Sequence, residues 1–266
     1  MTTALLPASL RDLIEPELPG WIAPRWWADG AELVALAPQA EIGWFDMFDK
    51  TAPLEAVLRA ERLVWLSSAF AGVDWLPLAL LEQRGVRLSC GSGLNATAVA
   101  EFAVMAMLAE ARGFADLVRA QDARAWAGSP SRMRTLAGSR ALVMGYGAIG
   151  SAIGRMLAGF DVAITPMRRS GGPGALGPSE WRARLGEFDW IVLALPGTAA
   201  TAGIVDAAAI AAMRPSAMLV NVGRADTLDQ PALAAALREG RLAGAILDLT
   251  DPEPLPPGHE LWDCPN

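Results

Sequence analysis

The stretch ALVMGYGAIGSAIG, residues 141–154, restricts the fold more than any other part of the chain. A short apolar run of strand character passes straight into Gly145, Gly147 and Gly150 at GxGxxG spacing, and a helical pattern follows at once. Each glycine has a physical reason. The first permits a tight turn, the second lets backbone approach a pyrophosphate, and the third allows close packing of helix on strand. The helix N-terminus then offers unpaired N–H groups to the anion. Strand, glycine turn and helix together predict a dinucleotide-binding βαβ unit.

Apolar runs and Ala-rich helical stretches alternate along the rest of the chain, the pattern of an α/β protein with parallel sheets. ALVM, DVAITPM, WIVLALP, AMLVNVG and AGAILDL read as strands, and SAIGRMLAGF, AAAIAAM and PALAAALREG as helices, the last closed by Gly240. In the first third AELVAL, AEIGWF and RLVWLSS read as strands. TAPLEAVLRA reads as a helix with Thr51 or Asp49 near its N-terminus, and WLPLALLEQRG as another ending at Gly85, before the strand VRLSC. NATAVAEFAVMAMLAEARGFADLVRA reads as one long helix opened by Asn95 or Thr97, followed by the loop AWAGSPSRMRTLAGS. With the domain change at the start of that helix, the expected domains are 1–94 and 95–266.

Charge and composition exclude several classes. A net charge of −7 provides no basic face for phosphates, so no nucleic acid partner is expected. The N-terminus has no basic stretch before an apolar run, which argues against a secretory signal. The apolar stretch 96–109 is interrupted by Glu101 and is too short for a bilayer, so no membrane association is expected. Cys90 and Cys264 form no disulfide framework and no metal-ligand pattern; they read as free thiols in a reducing cytoplasm.

An NAD-binding unit of this kind places an acidic residue about 20 positions after the turn, on the adenosine ribose. Here Arg168, Arg169 and Ser170 stand 18, 19 and 20 positions after Gly150. A cationic pair suits a 2′-phosphate, so NADP is the expected cofactor in preference to NAD. Two further strand ends carry polar residues, NVGRADTLD and LDLTDPEPLP. Arg224 has the planar fork that grips a carboxylate, and a carboxylate after Asp248 can orient a proton-transfer histidine. By themselves both would more often be surface ion-pair residues.

From about Arg62 onward the sequence resembles the D-isomer-specific 2-hydroxyacid dehydrogenases, a family that includes glyoxylate/hydroxypyruvate reductases. The motifs that carry the resemblance are SSAFAGVDWLPL, GSGLNATAVAEFAVMAMLAEAR, GYGAIG, LPGTAATAGIV, NVGRAD and LDLTDPEPLP, in the family's order. The resemblance implies two lobes, a flavodoxin-like substrate domain and a Rossmann dinucleotide-binding domain. Arg224 would bind the carboxylate of a 2-oxo acid and polarise its carbonyl, and Glu253 would pair with the catalytic histidine. Backbone at Ala71 and Gly72 would hold the other carboxylate oxygen. Ala148 and Ile149 would cover the pyrophosphate, Leu195, Pro196, Thr201 and Val222 would line the cofactor, and Asp248 would lie near the carboxamide. The implied reaction interconverts a 2-oxo acid and a D-2-hydroxy acid by hydride transfer, and the implied assembly is a homodimer with the Ala-rich helix as a candidate interface.

The resemblance places the catalytic histidine about twenty residues beyond Glu253, after a segment similar to LWDCPN. The chain is therefore expected to be a C-terminally truncated member without it, and His259, in the Pro-Pro-Gly stretch, is expected to be an exposed turn residue. A second reading is a dinucleotide-sensing interaction protein, similar to a co-repressor on the same fold, which leaves Arg224 and Glu253 without a role. Another Rossmann enzyme, such as an amino-acid dehydrogenase, lacks a matching catalytic lysine motif here.

Overall fold

The structure, a computed structural model, describes residues 1–126 and 133–265. The chain divides into two compact units, Met1–Leu94 and Asn95–Asn266. Each is built on a wholly parallel five-stranded sheet, so the protein is of α/β class. Part of the loop expected at AWAGSPSRMRTLAGS, residues 127–132, lies outside the described residues.

The first unit contains β1 (Thr2–Pro7), α1 (Arg11–Ile14), β2 (Ile22–Trp27), α2 (Gly30–Leu36), β3 (Ile42–Trp44), α3 (Thr51–Arg59), β4 (Trp65–Ser67), α4 (Leu78–Gln83) and β5 (Arg87–Ser89). The strand order β2-β1-β3-β4-β5 is that of flavodoxin-like sheets. Leu5, Phe45 and Leu66 bury one sheet face against Leu33 of α2, Val57 of α3 and Leu81 of α4. Ala4, Leu6 and Ile22 close the other face, which makes β1 apolar on both sides, as a central parallel strand requires. Asp49 accepts a hydrogen bond from Thr51 N–H at 2.9 Å, which fixes the start of α3.

Two sequence expectations in this unit are corrected. AELVAL is a helix, α2, and not a strand. Asp29 caps it by accepting from Glu32 N–H at 2.9 Å, and the Glu32 carboxylate accepts from Ala28 N–H at 2.8 Å. Leu33 and Ala37, four apart and fully buried, show the helical period that a six-residue apolar run conceals. The strands TTALLP and IAPRWW, unassigned in the sequence, supply β1, which pairs with β3, and β2, which pairs with the other side of β1.

The second unit contains α5 (Ala96–Ala111), α6 (Phe114–Asp122), β6 (Arg140–Met144), α7 (Ala148–Ala158), β7 (Ala163–Met167), β8 (Trp190–Leu193), α8 (Ala207–Ala212), β9 (Met218–Asn221), α9 (Gln230–Arg238) and β10 (Gly244–Leu247). The sheet runs β7-β6-β8-β9-β10, and Leu176 adds one parallel bridge outside Met167 of β7. Counting that bridge as a rudimentary strand, the order becomes 3-2-1-4-5-6, that of the Rossmann fold. Met107 of α5 and Ile153 of α7 pack on one face with Val143 and Val192. Leu233 and Leu237 of α9, with Trp181 and Phe188, cover the other.

The single long helix expected after Asn95 is two. α5 stops at Ala111, and Gly113, at φ 62°, redirects the chain into α6. Only glycine adopts that left-handed conformation without steric cost, so one residue interrupts an otherwise continuous helical pattern. No described helix is long and apolar enough to cross a membrane.

Because the Asp29 side chain is the cap that turns AELVAL into a helix, Asp29→Ala is expected to destabilise the first unit by about 1 kcal/mol. Urea denaturation should show a lower midpoint with an unchanged slope.

Candidate functional site

The end of β6 and the start of α7 form the glycine turn. Gly145 sits at φ +88°, and a Cβ there would lie 2.5 Å from the Ala194 carbonyl oxygen and 3.0 Å from Leu195 N. Its own N–H is held by Met167 O at 3.1 Å. Gly150 is buried, and a Cβ at that position would collide with the carbonyl oxygen of Gly145. Gly147 differs: nothing stands within 4 Å of where its Cβ would be, so the backbone is open to a ligand. Ala148 is exposed and Ile149 half-buried on the first turn of α7, which carries no acidic side chain. The donor end of the helix is therefore left electropositive.

A cavity of about 540 Å³ adjoins this turn. Gly145, Tyr146 and Gly147 form one side, Arg168 and Arg169 another, and Leu195, Pro196 and Thr201 a third. The Thr201 hydroxyl donates to Pro196 O at 2.6 Å and accepts from Thr198 N–H at 2.9 Å, which closes the LPGT loop into a fixed wall. The Arg168 guanidinium lies over the Tyr146 ring, 5.1 Å from its centroid. Val222 does not line this space. It is buried with Val143 and Ile153 in the core, its N–H on Leu193 O at 3.0 Å. A tight glycine turn with open backbone at Gly147, a helix N-terminus and two arginines fit a nicotinamide dinucleotide.

Arg224 follows β9 at the same C-terminal edge of the sheet. Asn221 shapes its loop by donating to Arg224 O at 2.9 Å and accepting from Gly223 N–H at 3.1 Å, while the Thr227 hydroxyl donates to Arg224 O at 2.7 Å. The half-buried guanidinium donates to Gly223 O at 2.8 Å. Asp248 and Glu253, both exposed, line a second cavity of about 550 Å³ beyond β10, with Leu247, Leu255 and Trp262. The buried Gln230 anchors the loop between them. Its amide donates to Asp251 O at 3.1 Å, and its oxygen accepts from Asp251 N–H at 3.2 Å. Arg224 lines neither cavity. His259 is half-buried and not fully exposed, because its Nδ1 accepts from Leu261 N–H at 3.2 Å and caps a short 3-10 helix.

In the first unit Ala71 and Gly72 lie in the loop after β4. Asp46, absent from the sequence reading, fixes that loop: its carboxylate accepts from the Ser68 hydroxyl at 2.7 Å, Ala69 N–H at 2.5 Å and Trp44 Nε1 at 2.8 Å. The Lys50 ammonium lies 3.7 Å from the Phe70 ring centroid and 5.0 Å from that of Trp75, and also donates to Met47 O. Burial holds Lys50 below the ordinary lysine range, and Asp46 opposes that shift. The available sequence signal was an aspartate two residues past a strand, facing a Ser-Ser strand end.

The profile of the family described as "D-isomer specific 2-hydroxyacid dehydrogenase, NAD binding domain" matches residues 104–266. Among similar proteins, hydroxyphenylpyruvate reductase of Plectranthus scutellarioides is 31% identical over 237 residues, 86% of this chain and 75% of the relative. Glyoxylate reductase/hydroxypyruvate reductase of Mus musculus is 32% identical over 211 residues, 76% of this chain and 64% of the relative. The crystal structure of a D-isomer specific 2-hydroxyacid dehydrogenase family protein from Aeromonas salmonicida subsp. salmonicida A449 superposes with a TM-score of 0.86 at 27% identity. It covers 100% of this chain and 86% of that one.

The Gly150 contact generates a prediction. Gly150→Ala forces a methyl group against the Gly145 carbonyl, so NADH and NADPH titrations followed by fluorescence should show roughly tenfold weaker binding or worse, about 1.4 kcal/mol. A parallel melting curve will separate loss of the turn from loss of the fold.

Proposed function

Since the chain belongs to the D-isomer specific 2-hydroxyacid dehydrogenase family, we propose that it is an NADP-preferring reductase that interconverts a small 2-oxo acid and its D-2-hydroxy acid. The observation that carries this reading is the gathering of three chemistries on loops at the C-terminal edge of one parallel sheet. These are the glycine turn after β6, Arg224 after β9, and Asp248 and Glu253 after β10. Open parallel sheets bind their ligands at that edge.

In this reading the backbone at Gly147, Ala148 and Ile149 holds the pyrophosphate. Leu195, Pro196 and Thr201 form the apolar wall, and Arg168 and Arg169 meet the 2′-phosphate. The cofactor, when bound, supplies the hydride for the carbonyl carbon. The Arg224 guanidinium pairs with the substrate carboxylate and draws electron density from the carbonyl, a task that a planar two-pronged donor performs better than an ammonium. Backbone N–H groups at Ala71 and Gly72, on the first-unit loop that Asp46 fixes, are assigned to substrate binding. Asp248 faces the carboxamide, and Glu253 orients the general acid that protonates the carbonyl oxygen. That acid is not assigned to His259, whose Nδ1 is committed to Leu261 N–H. The exposed apolar side chains Phe114, Leu117 and Val118 on α6 support a homodimer.

Two measurements test the reading. NADPH should bind roughly tenfold to a hundredfold more tightly than NADH, the effect of about 1.5–3 kcal/mol from charge-assisted contacts, and Arg168→Asp should reverse the order. Equal affinities in the wild type defeat the cofactor assignment. Arg224→Lys should lower kcat/KM for glyoxylate or hydroxypyruvate by roughly a hundredfold while leaving cofactor affinity unchanged. Unaltered kinetics would remove Arg224 from the reaction.

A further inference from the structure

Tyr146 stands between the first two glycines of the turn, at a position where the turn itself demands no aromatic residue. Its ring is half-buried and packs against the α7 side of the core. The surface it lies against is Gly154, in the second turn of α7. A Cβ at Gly154 would come within 2.9 Å of Tyr146 Cε2 and 3.0 Å of Cζ, and would overlap the hydroxyl. Gly154 is helical and needs no left-handed freedom, and a mid-helix glycine costs about 1 kcal/mol relative to alanine. The local reason for it is the notch that receives the Tyr146 ring.

The Arg168 guanidinium lies over that ring, 5.1 Å from the centroid. The Arg168 backbone is fixed independently, its N–H on Leu176 O at 3.0 Å and its carbonyl accepting from Gly171 N–H at 3.1 Å. Among the described residues no carboxylate pairs with Arg168 within 4 Å, so the charge is restrained by a ring and not neutralised by an acid. A guanidinium held over an aromatic ring by cation–π attraction, with no carboxylate on it, keeps its N–H donors available to an anion.

We propose that Tyr146, seated in the Gly154 notch, is a positioning residue for cofactor choice, holding the Arg168 guanidinium at the cavity rim where the 2′-phosphate of NADP is read. The inference rests on the reading that Arg168 meets that phosphate. Tyr146 touches no reacting atom. It acts by limiting the orientations of Arg168 before the cofactor arrives, so its loss falls more heavily on the dinucleotide with the 2′-phosphate than on the one without.

The test is a set of NADPH and NADH titrations on the full chain. Tyr146→Leu should reduce the NADPH-to-NADH affinity ratio by about two- to fivefold, the size of an exposed cation–π contact. Tyr146→Phe keeps the ring and should keep the ratio. Gly154→Ala fills the notch, and should lower the ratio although Tyr146 and Arg168 are both present. In an Arg168→Gln background, Tyr146→Leu should have no further effect on the ratio, because the two residues act through one contact. An unchanged ratio in Tyr146→Leu, or an equal loss in the Arg168→Gln background, overturns the inference and leaves the cofactor reading intact. A wild type without NADPH preference overturns both.

Discussion

The close approach of α7 to the end of β6 is the constraint on which the second unit depends. Gly150 rests against the Gly145 carbonyl, and Gly145 rests against Ala194 and Leu195 of the next strand end. Three chain segments meet where side chains have no room. The same contacts that seat the helix on the sheet also direct its unpaired N–H groups toward the open backbone at Gly147. Packing and ligand approach are therefore set by one arrangement of atoms, and neither can be changed alone.

Around that point the loops at the strand ends are held by polar side chains from within the unit. Asn221 braces the Arg224 loop, Gln230 reaches across to Asp251, and Thr201 closes the LPGT wall. Asp46 does the same for the loop bearing Ala71 and Gly72 in the first unit. The side chains proposed for binding thus sit on backbone that buried or half-buried partners have already ordered, which reduces the entropy lost when a ligand binds.

The second unit was legible because its strands are long apolar runs and its turn has a spacing with few physical alternatives. The first unit was less so. AELVAL is too short for apolar content to distinguish strand from helix; Asp29 and Glu32, which decide the matter, act through backbone contacts. The break between α5 and α6 rests on the φ of Gly113 alone. At the site, Gly145, Gly147, Arg168, Arg169, Leu195, Pro196 and Thr201 line one cavity, whereas Val222 lies in the core. Asp46, Lys50 and Tyr146 escaped notice because each works by holding a neighbour, and such roles leave no spacing to recognise.

The third position of the Rossmann order is reduced here to a single bridge at Leu176, flanked by Gly171, Gly172 and Gly174 in left-handed conformations. The outer border of the nucleotide unit is accordingly a glycine-rich loop with little stake in the core. Arg168, Arg169 and Ser170, at the start of that border, are exposed. Residues in such a place can be exchanged over generations with small effect on folding stability. On the proposed assignment, the side chains that choose between two nearly identical coenzymes stand in this loosely packed margin, while the glycine turn is locked into the packed interior.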